Sequence, residues 1–168
     1  VVVGGGAMGA ATAWQLARIF GISQDKVRVT SPFVGGGFGS KGIWQHQVLG
    51  AAASKLAGRP VRITLSREGV FRIVGVRSPT EQRVAIAADK DGRFTAIIHT
   101  GTALMTPHNF MPEPFIAGTE SSYAAQSFLL DVQIARVDSV ASTFMRGPGE
   151  AVGTFALESA LDALAERL

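Results

Sequence analysis

The sequence contains no cysteine, so this segment offers no disulfide, no thiolate metal ligand and no protein-held iron–sulfur cluster. Charged residues make up only 17% of it, and no block of like charges forms. The basic residues Arg28, Lys41, Lys55, Arg59, Arg62, Arg67, Arg72 and Arg77 are scattered, with few aromatics between them. They read as a solvated surface, and nucleic acid is not the expected partner despite a formal net charge of +3. No run of about 18 apolar residues occurs, so no membrane span is expected. His46, His99 and His108 include no pair four residues apart, which leaves zinc without a ligand spacing. A G-x-S-x-G nucleophile elbow is missing too. No metal-ligating side chain is assigned.

What is present can build a core, because 46% of the residues are hydrophobic. The chain starts on Val1 and ends on Leu168 within a helical pattern, and is read as an excerpt of a longer protein. Residues 1–3 form a β-branched run, and 10–20 favour helix with Gly21 as its stop. Residues 27–30 and 61–65 read as strands. Between them a helix spans 43–56, closed by Gly58 and Pro60. Ser66 is placed to cap a short helix over 68–71. Residues 83–87 and 94–98 form a hairpin about the turn Asp89-Lys90-Asp91-Gly92. A long irregular loop over 106–122 precedes a strand at 129–134. The last helix, 151–168, carries Leu157, Leu161, Leu164 and Leu168 on one face, and Glu158, Asp162 and Glu166 on a wetter one. Trp14 and Trp44 are assigned to packing. Mixed strands and helices with one hairpin give an α+β fold.

Three glycine-rich stretches bear on function. Gly4-Gly5-Gly6-Ala7-Met8-Gly9 satisfies G-x-G-x-x-G between a strand and a helix, the geometry that holds a pyrophosphate at a helix N-terminus. Residues 1–17 resemble the opening of FAD-dependent amine oxidases. A dinucleotide fold also wants an acidic residue after the second strand, but the chain there is Thr30-Ser31, and Asp25 precedes that strand. The turn is therefore read as structural, and residues 1–20 as an atypical strand–turn–helix opening.

The second stretch is Gly35-Gly36-Gly37-Phe38-Gly39-Ser40-Lys41, delivered by residues 27–34. Its glycines let bare backbone approach an anionic, oxo-bearing group, and Phe38 offers an apolar wall. The third is Met145-Arg146-Gly147-Pro148-Gly149-Glu150, leading into the last helix. In their order and separation, with the D-x-D-G hairpin between, the last two stretches resemble the molybdenum subunit of the xanthine dehydrogenase and aldehyde oxidase family over residues 17–168.

The resemblance implies that residues 1–168 are part of a molybdopterin-binding domain, with Gly36, Gly37, Phe38 and Gly39 over the molybdenum, and Arg146 and Gly147 on the opposite side of the pterin. It implies an enzyme that hydroxylates aldehydes or aromatic heterocycles with oxygen from water. Iron–sulfur clusters and FAD would sit on partner subunits or domains, and the compartment would be the cytoplasm, with the periplasm as alternative. The chain alone would be inactive.

Two departures qualify it. The glutamine that the family places just before the first helix is absent near Gly6-Ala7-Met8. Gly42 stands where purine-oxidising members carry an acid, which speaks against xanthine. The family's catalytic glutamate lies in a G-x-G-E string near the end of the full subunit. Gly147-Pro148-Gly149-Glu150 mimics that string, but Glu150 is read as a charge favoured at a helix N-terminus, and no catalytic residue is assigned. The competing functions are an FAD-dependent amine oxidase-like fragment and a truncated remnant that binds nothing.

Overall fold

The structure is a computed structural model that describes residues 7–33, 35–39, 45–73, 75–107, 111–143 and 145–168. It divides into two compact units, Val1–Val74 and Gly75–Leu168.

In the first unit, helix α1 (Ala7–Phe20) buries Thr12, Leu16 and Ala17, positions four and five apart on one face. It stops at Gly21, whose φ of 62° turns the chain so that the Ile22 amide donates to the Ala17 carbonyl at 3.0 Å. Trp14 is not core: it is 48% exposed, with the Arg18 guanidinium 5.5 Å from its ring. Helix α2 (Gln45–Ala57) packs on α1, and the Lys55 ammonium lies 5.3 Å from the Phe20 ring. Helix α3 (Arg67–Ile73) is capped as its sequence requires, the Gly69 amide donating to Ser66 Oγ at 3.0 Å.

Two expected strands are not formed. Residues 24–26 wind a 3₁₀ turn and 27–30 lie outside every named strand, as do 61–65. β-Branched residues favour a strand only when a neighbour completes the ladder, and among the described residues no named strand belongs to this unit. The glycine turn at 4–6 and Trp44 lie outside the described residues.

The second unit is a mixed sheet in the order β1-β2-β3, covered on one face by helices. Strands β1 (Thr80–Ala88) and β2 (Phe94–Met105) pair antiparallel, both longer than the sequence pattern suggests. The turn between them is fixed by Asp89, whose carboxylate accepts from the amides of Asp91 and Arg93 at 2.9 Å each. Strand β3 (Ser127–Arg136) runs parallel to β2, so the chain must cross over between them. That crossover contains helix α4 (Ala117–Ser122), which corrects the expectation of irregular loop throughout 106–122.

Helix α5 (Glu150–Ala165) packs on β1 and α4 and buries Gly153 and Leu157. The residues of β2 that face inward, Ile97, His99 and Ala103, are fully buried. His99 accepts from the Thr119 hydroxyl at Nδ1 (2.6 Å) and donates from Nε2 to Gln82 Oε1 (2.9 Å), a tautomer set by the acceptor-only amide oxygen. Burial pushes the pKa of His99 below its ordinary value. The fold is α+β, as expected.

Candidate functional site

The loop at residues 35–39 has an unusual backbone. Gly35, Gly36 and Gly39 have φ of 64°, 94° and 99°, and Phe38 joins them at 51°. A phenylalanine in the left-handed region is strained, and the cost is tolerated where the conformation serves a purpose. Its ring lies over Gly36, close enough that a β-carbon there would sit 3.1 Å from it. Phe38 is 65% exposed and the neighbouring Phe33 88%. The Ser31 hydroxyl donates to the Phe33 carbonyl at 3.1 Å, holding the entry to the loop. Gly36 is exposed, while Gly37 and Gly39 are half-buried. This stretch therefore presents glycine backbone beside an apolar ring.

The turn at residues 146–149 belongs to the second unit. Gly147 and Gly149 have φ of 64° and 83°, and the Arg146 side chain is exposed. Gly149 is pressed against the chain before α4: a β-carbon there would lie 2.2 Å from the Pro114 carbonyl oxygen. The Gly149 amide donates to Glu113 Oε1 at 2.6 Å. That same oxygen accepts from Arg77 Nη1 at 2.6 Å. Arg77 also donates to the carbonyls of Arg146 and Gly147. Arg77 is thus no solvated surface base, because its side chain is only 23% exposed and that of Glu113 5%.

The site residues expected from sequence fall into these two segments, Gly36 to Gly39 in the first unit and Arg146 with Gly147 in the second. Sequence reasoning missed Arg77 and Glu113. The only local sign was an acid between two prolines, Pro112-Glu113-Pro114, in a stretch with few other charges. Glu150 stands exposed in the first turn of α5, as a helix-terminal charge should.

The family described as the molybdopterin cofactor-binding domain matches residues 7–168. The chain belongs to this family. Among curated relatives it is 36% identical over 153 residues to the aldehyde oxidoreductase molybdenum-binding subunit PaoC of Escherichia coli K12, covering 90% of the chain and 21% of the relative. Aldehyde oxidase 4 of Arabidopsis thaliana is 31% identical over 164 residues, covering 91% of the chain and 12% of the relative. Among solved structures, aldehyde oxidoreductase from Desulfovibrio gigas superposes with a TM-score of 0.79 at 26% identity, over 95% of the chain and 18% of that protein. Quinoline 2-oxidoreductase from Pseudomonas putida 86 shares the fold, with a TM-score of 0.86 at 24% identity over 96% of the chain and 22% of that protein. The chain therefore spans about a fifth or less of the length of these relatives.

Each of the two segments, taken by itself, has chemistry compatible with a molybdopterin cofactor. Glycine-rich backbone in the left-handed region, an exposed aromatic wall and an exposed guanidinium suit a flat anionic group. Among the described residues no His, Cys, Asp and Glu side chains group as a metal site, and a metal carried on its own dithiolene ligands needs none. The family match covers residues 7–168 and so takes in most of the flavin-like opening at 1–17, and the amine oxidase alternative is not favoured.

Proposed function

We propose that residues 1–168 are the cofactor-facing part of a molybdenum hydroxylase that oxidises aldehydes, or aromatic heterocycles, with water as oxygen source. The observation that carries this reading is Phe38, a bulky apolar side chain held both strained and exposed within a glycine loop. Backbone strain of this kind clusters at ligand-binding segments, and a flat partner would cover the exposed ring.

When bound, the molybdenum cofactor supplies the two-electron oxidation and the transfer of oxygen to the substrate carbon. The chain's own residues place it. Gly36, Gly37 and Gly39 bring backbone close, Phe38 shields one side from water, and Arg146 with Gly147 compensates anionic oxygens on the other. PaoC, by its name, is a molybdenum-binding subunit of an aldehyde oxidoreductase, which favours aldehydes over heterocycles as the substrate class. Gly42 in place of an acid points the same way, because a purine would lose a carboxylate partner. With no cysteine in the chain, electrons would leave through iron–sulfur clusters and FAD on partner subunits or domains, and the compartment on this reading is the cytoplasm, with the periplasm as the alternative.

The test is the full-length subunit purified with its partner subunits. Benzaldehyde or vanillin should reduce a dye acceptor and take up oxygen from isotopically labelled water, while xanthine should not react. A preparation that carries flavin on this subunit and oxidises amines would overturn the proposal.

A further inference from the structure

We infer that Arg77 and Glu113 are positioning residues that set the turn at 146–149 for the cofactor, an inference that rests on the reading of that turn as a cofactor contact. Glu113 is a carboxylate only 5% exposed, and one of its oxygens accepts from both Arg77 Nη1 and the Gly149 amide, each at 2.6 Å. Arg77 Nη1 also reaches the Gly147 carbonyl at 3.3 Å, and its Nη2 reaches the Arg146 carbonyl. One guanidinium fork therefore holds the carboxylate and two consecutive carbonyls, and the carboxylate holds the amide two residues further on.

The electrostatic consequence is specific. Carbonyl oxygens carry partial negative charge and would repel an anionic cofactor if they faced it. Turned toward Arg77, they are neutralised, and the exposed side chain of Arg146 becomes the charge that the turn presents. Glu113 compensates Arg77 and fixes the plane of its guanidinium. The next residue, Ser78, is 3% exposed and donates to the Leu104 carbonyl, so the clamp is registered to the end of β2. A lysine at 77 would keep the charge but not the fork.

The pair could instead be only a brace for the fold, and the two roles separate experimentally. Because Glu113 also holds the buried Gly149 amide, apolar replacement of the pair lowers stability in either role, and Arg77→Lys, which keeps the charge and that amide bond but not the fork, separates them. The experiment uses the full-length subunit with its partners and compares Arg77→Met/Glu113→Leu, Arg77→Lys and Arg146→Ala. It measures molybdenum and released pterin per subunit, the unfolding midpoint before cofactor loading, and amide exchange in the peptide containing 145–150. In the paired variant and in Arg77→Lys, cofactor affinity is expected to fall roughly 10- to 100-fold, as for residues that orient a metal site's direct contacts. In Arg77→Lys, which keeps Glu113 on the Gly149 amide, the unfolding midpoint of the unloaded protein should stay near that of the parent while exchange at 145–150 quickens; the paired variant also strips the buried Gly149 amide of its acceptor and should unfold at a lower midpoint. Arg146→Ala should also lose cofactor.

Full occupancy in the paired variant and in Arg77→Lys, with occupancy lost in Arg146→Ala, would overturn the positioning role and leave the site intact. Full occupancy in Arg146→Ala would overturn the reading of the turn, and the positioning role with it. Should the paired variant not fold, Arg77→Lys decides alone: loss of cofactor at parental stability supports the inference, and full occupancy overturns it.

Discussion

Replacing Gly149 by alanine should loosen the start of α5 far more than the same change at Gly147, two residues earlier. Both residues have positive φ, 83° and 64°, so both alanines incur a backbone penalty of at least about 1–2 kcal/mol, and Gly149, with ψ of −56°, lies outside the left-handed helical region altogether. Each also gains about 0.4–1 kcal/mol, because alanine restricts the unfolded chain. Space differs as well. At Gly147 the added carbon would meet Ala151 at 3.6 Å and 3.7 Å, ordinary contact distances. At Gly149 it would lie 2.2 Å from the Pro114 carbonyl oxygen and 2.8 Å from its carbon, backbone that cannot rotate aside. Forcing the chain to move costs about 1–3 kcal/mol more. Gly147→Ala should thus cost about 1 kcal/mol and Gly149→Ala about 2–4 kcal/mol. Amide exchange over α5 in the full subunit reports the local opening free energy. Rates there should rise by less than about tenfold for Gly147→Ala and by roughly 30- to 1000-fold for Gly149→Ala, at 1.4 kcal/mol per factor of ten. Equal exchange in the two variants would show that the turn does not press on Pro114, and the packing argument would fail.

Other consequences are open to measurement. Burial holds the pKa of His99 below 6.5, so the unfolded chain takes up that proton first as pH falls. Stability of the second unit should be whole above 6.5 and decline below it until the folded-state value is passed. Urea midpoints from about pH 8 to about pH 5 should show that decline, and it should be absent in His99→Gln. Ser66→Ala removes the acceptor for the Gly69 amide and should cost about 1 kcal/mol, seen as roughly fivefold faster exchange in α3. The 168-residue chain alone, supplied with cofactor, should oxidise no aldehyde; turnover that Glu150→Gln abolishes would contradict the reading of Glu150 as a helix-terminal charge.

Features written in neighbouring residues were legible from the sequence. Asp89 closes its own turn, Ser66 caps the next helix, and Gly21 ends α1, because each partner lies within five residues along the chain. The recurrence of Leu157, Leu161 and Leu164 at four and three residues placed α5 for the same reason. Residues 27–30 and 61–65 failed because a strand exists only with a neighbour, and the β-branched residues carry no record of one. Helix α4 was hidden in a polar, glycine-containing stretch; it packs on α5 where Gly118 lets the chain approach Thr154 closely. The positive φ of the two glycine segments proposed for the site was legible, since most such positions write themselves as glycine. The ion pair beneath the turn could not, because Arg77 and Glu113 lie 36 residues apart and each reads singly as a surface charge.

The central proposal is that residues 35–39 and residues 146–149 each contact the molybdopterin cofactor, and an experimental structure of the full-length subunit with cofactor bound tests it most directly. The account predicts the molybdenum centre against Phe38 and the glycines beside it, with the Arg146 guanidinium and the Gly147 backbone on the far side of the pterin. A cofactor lying against neither segment, or a flavin on the glycines at the start of the chain, would contradict it.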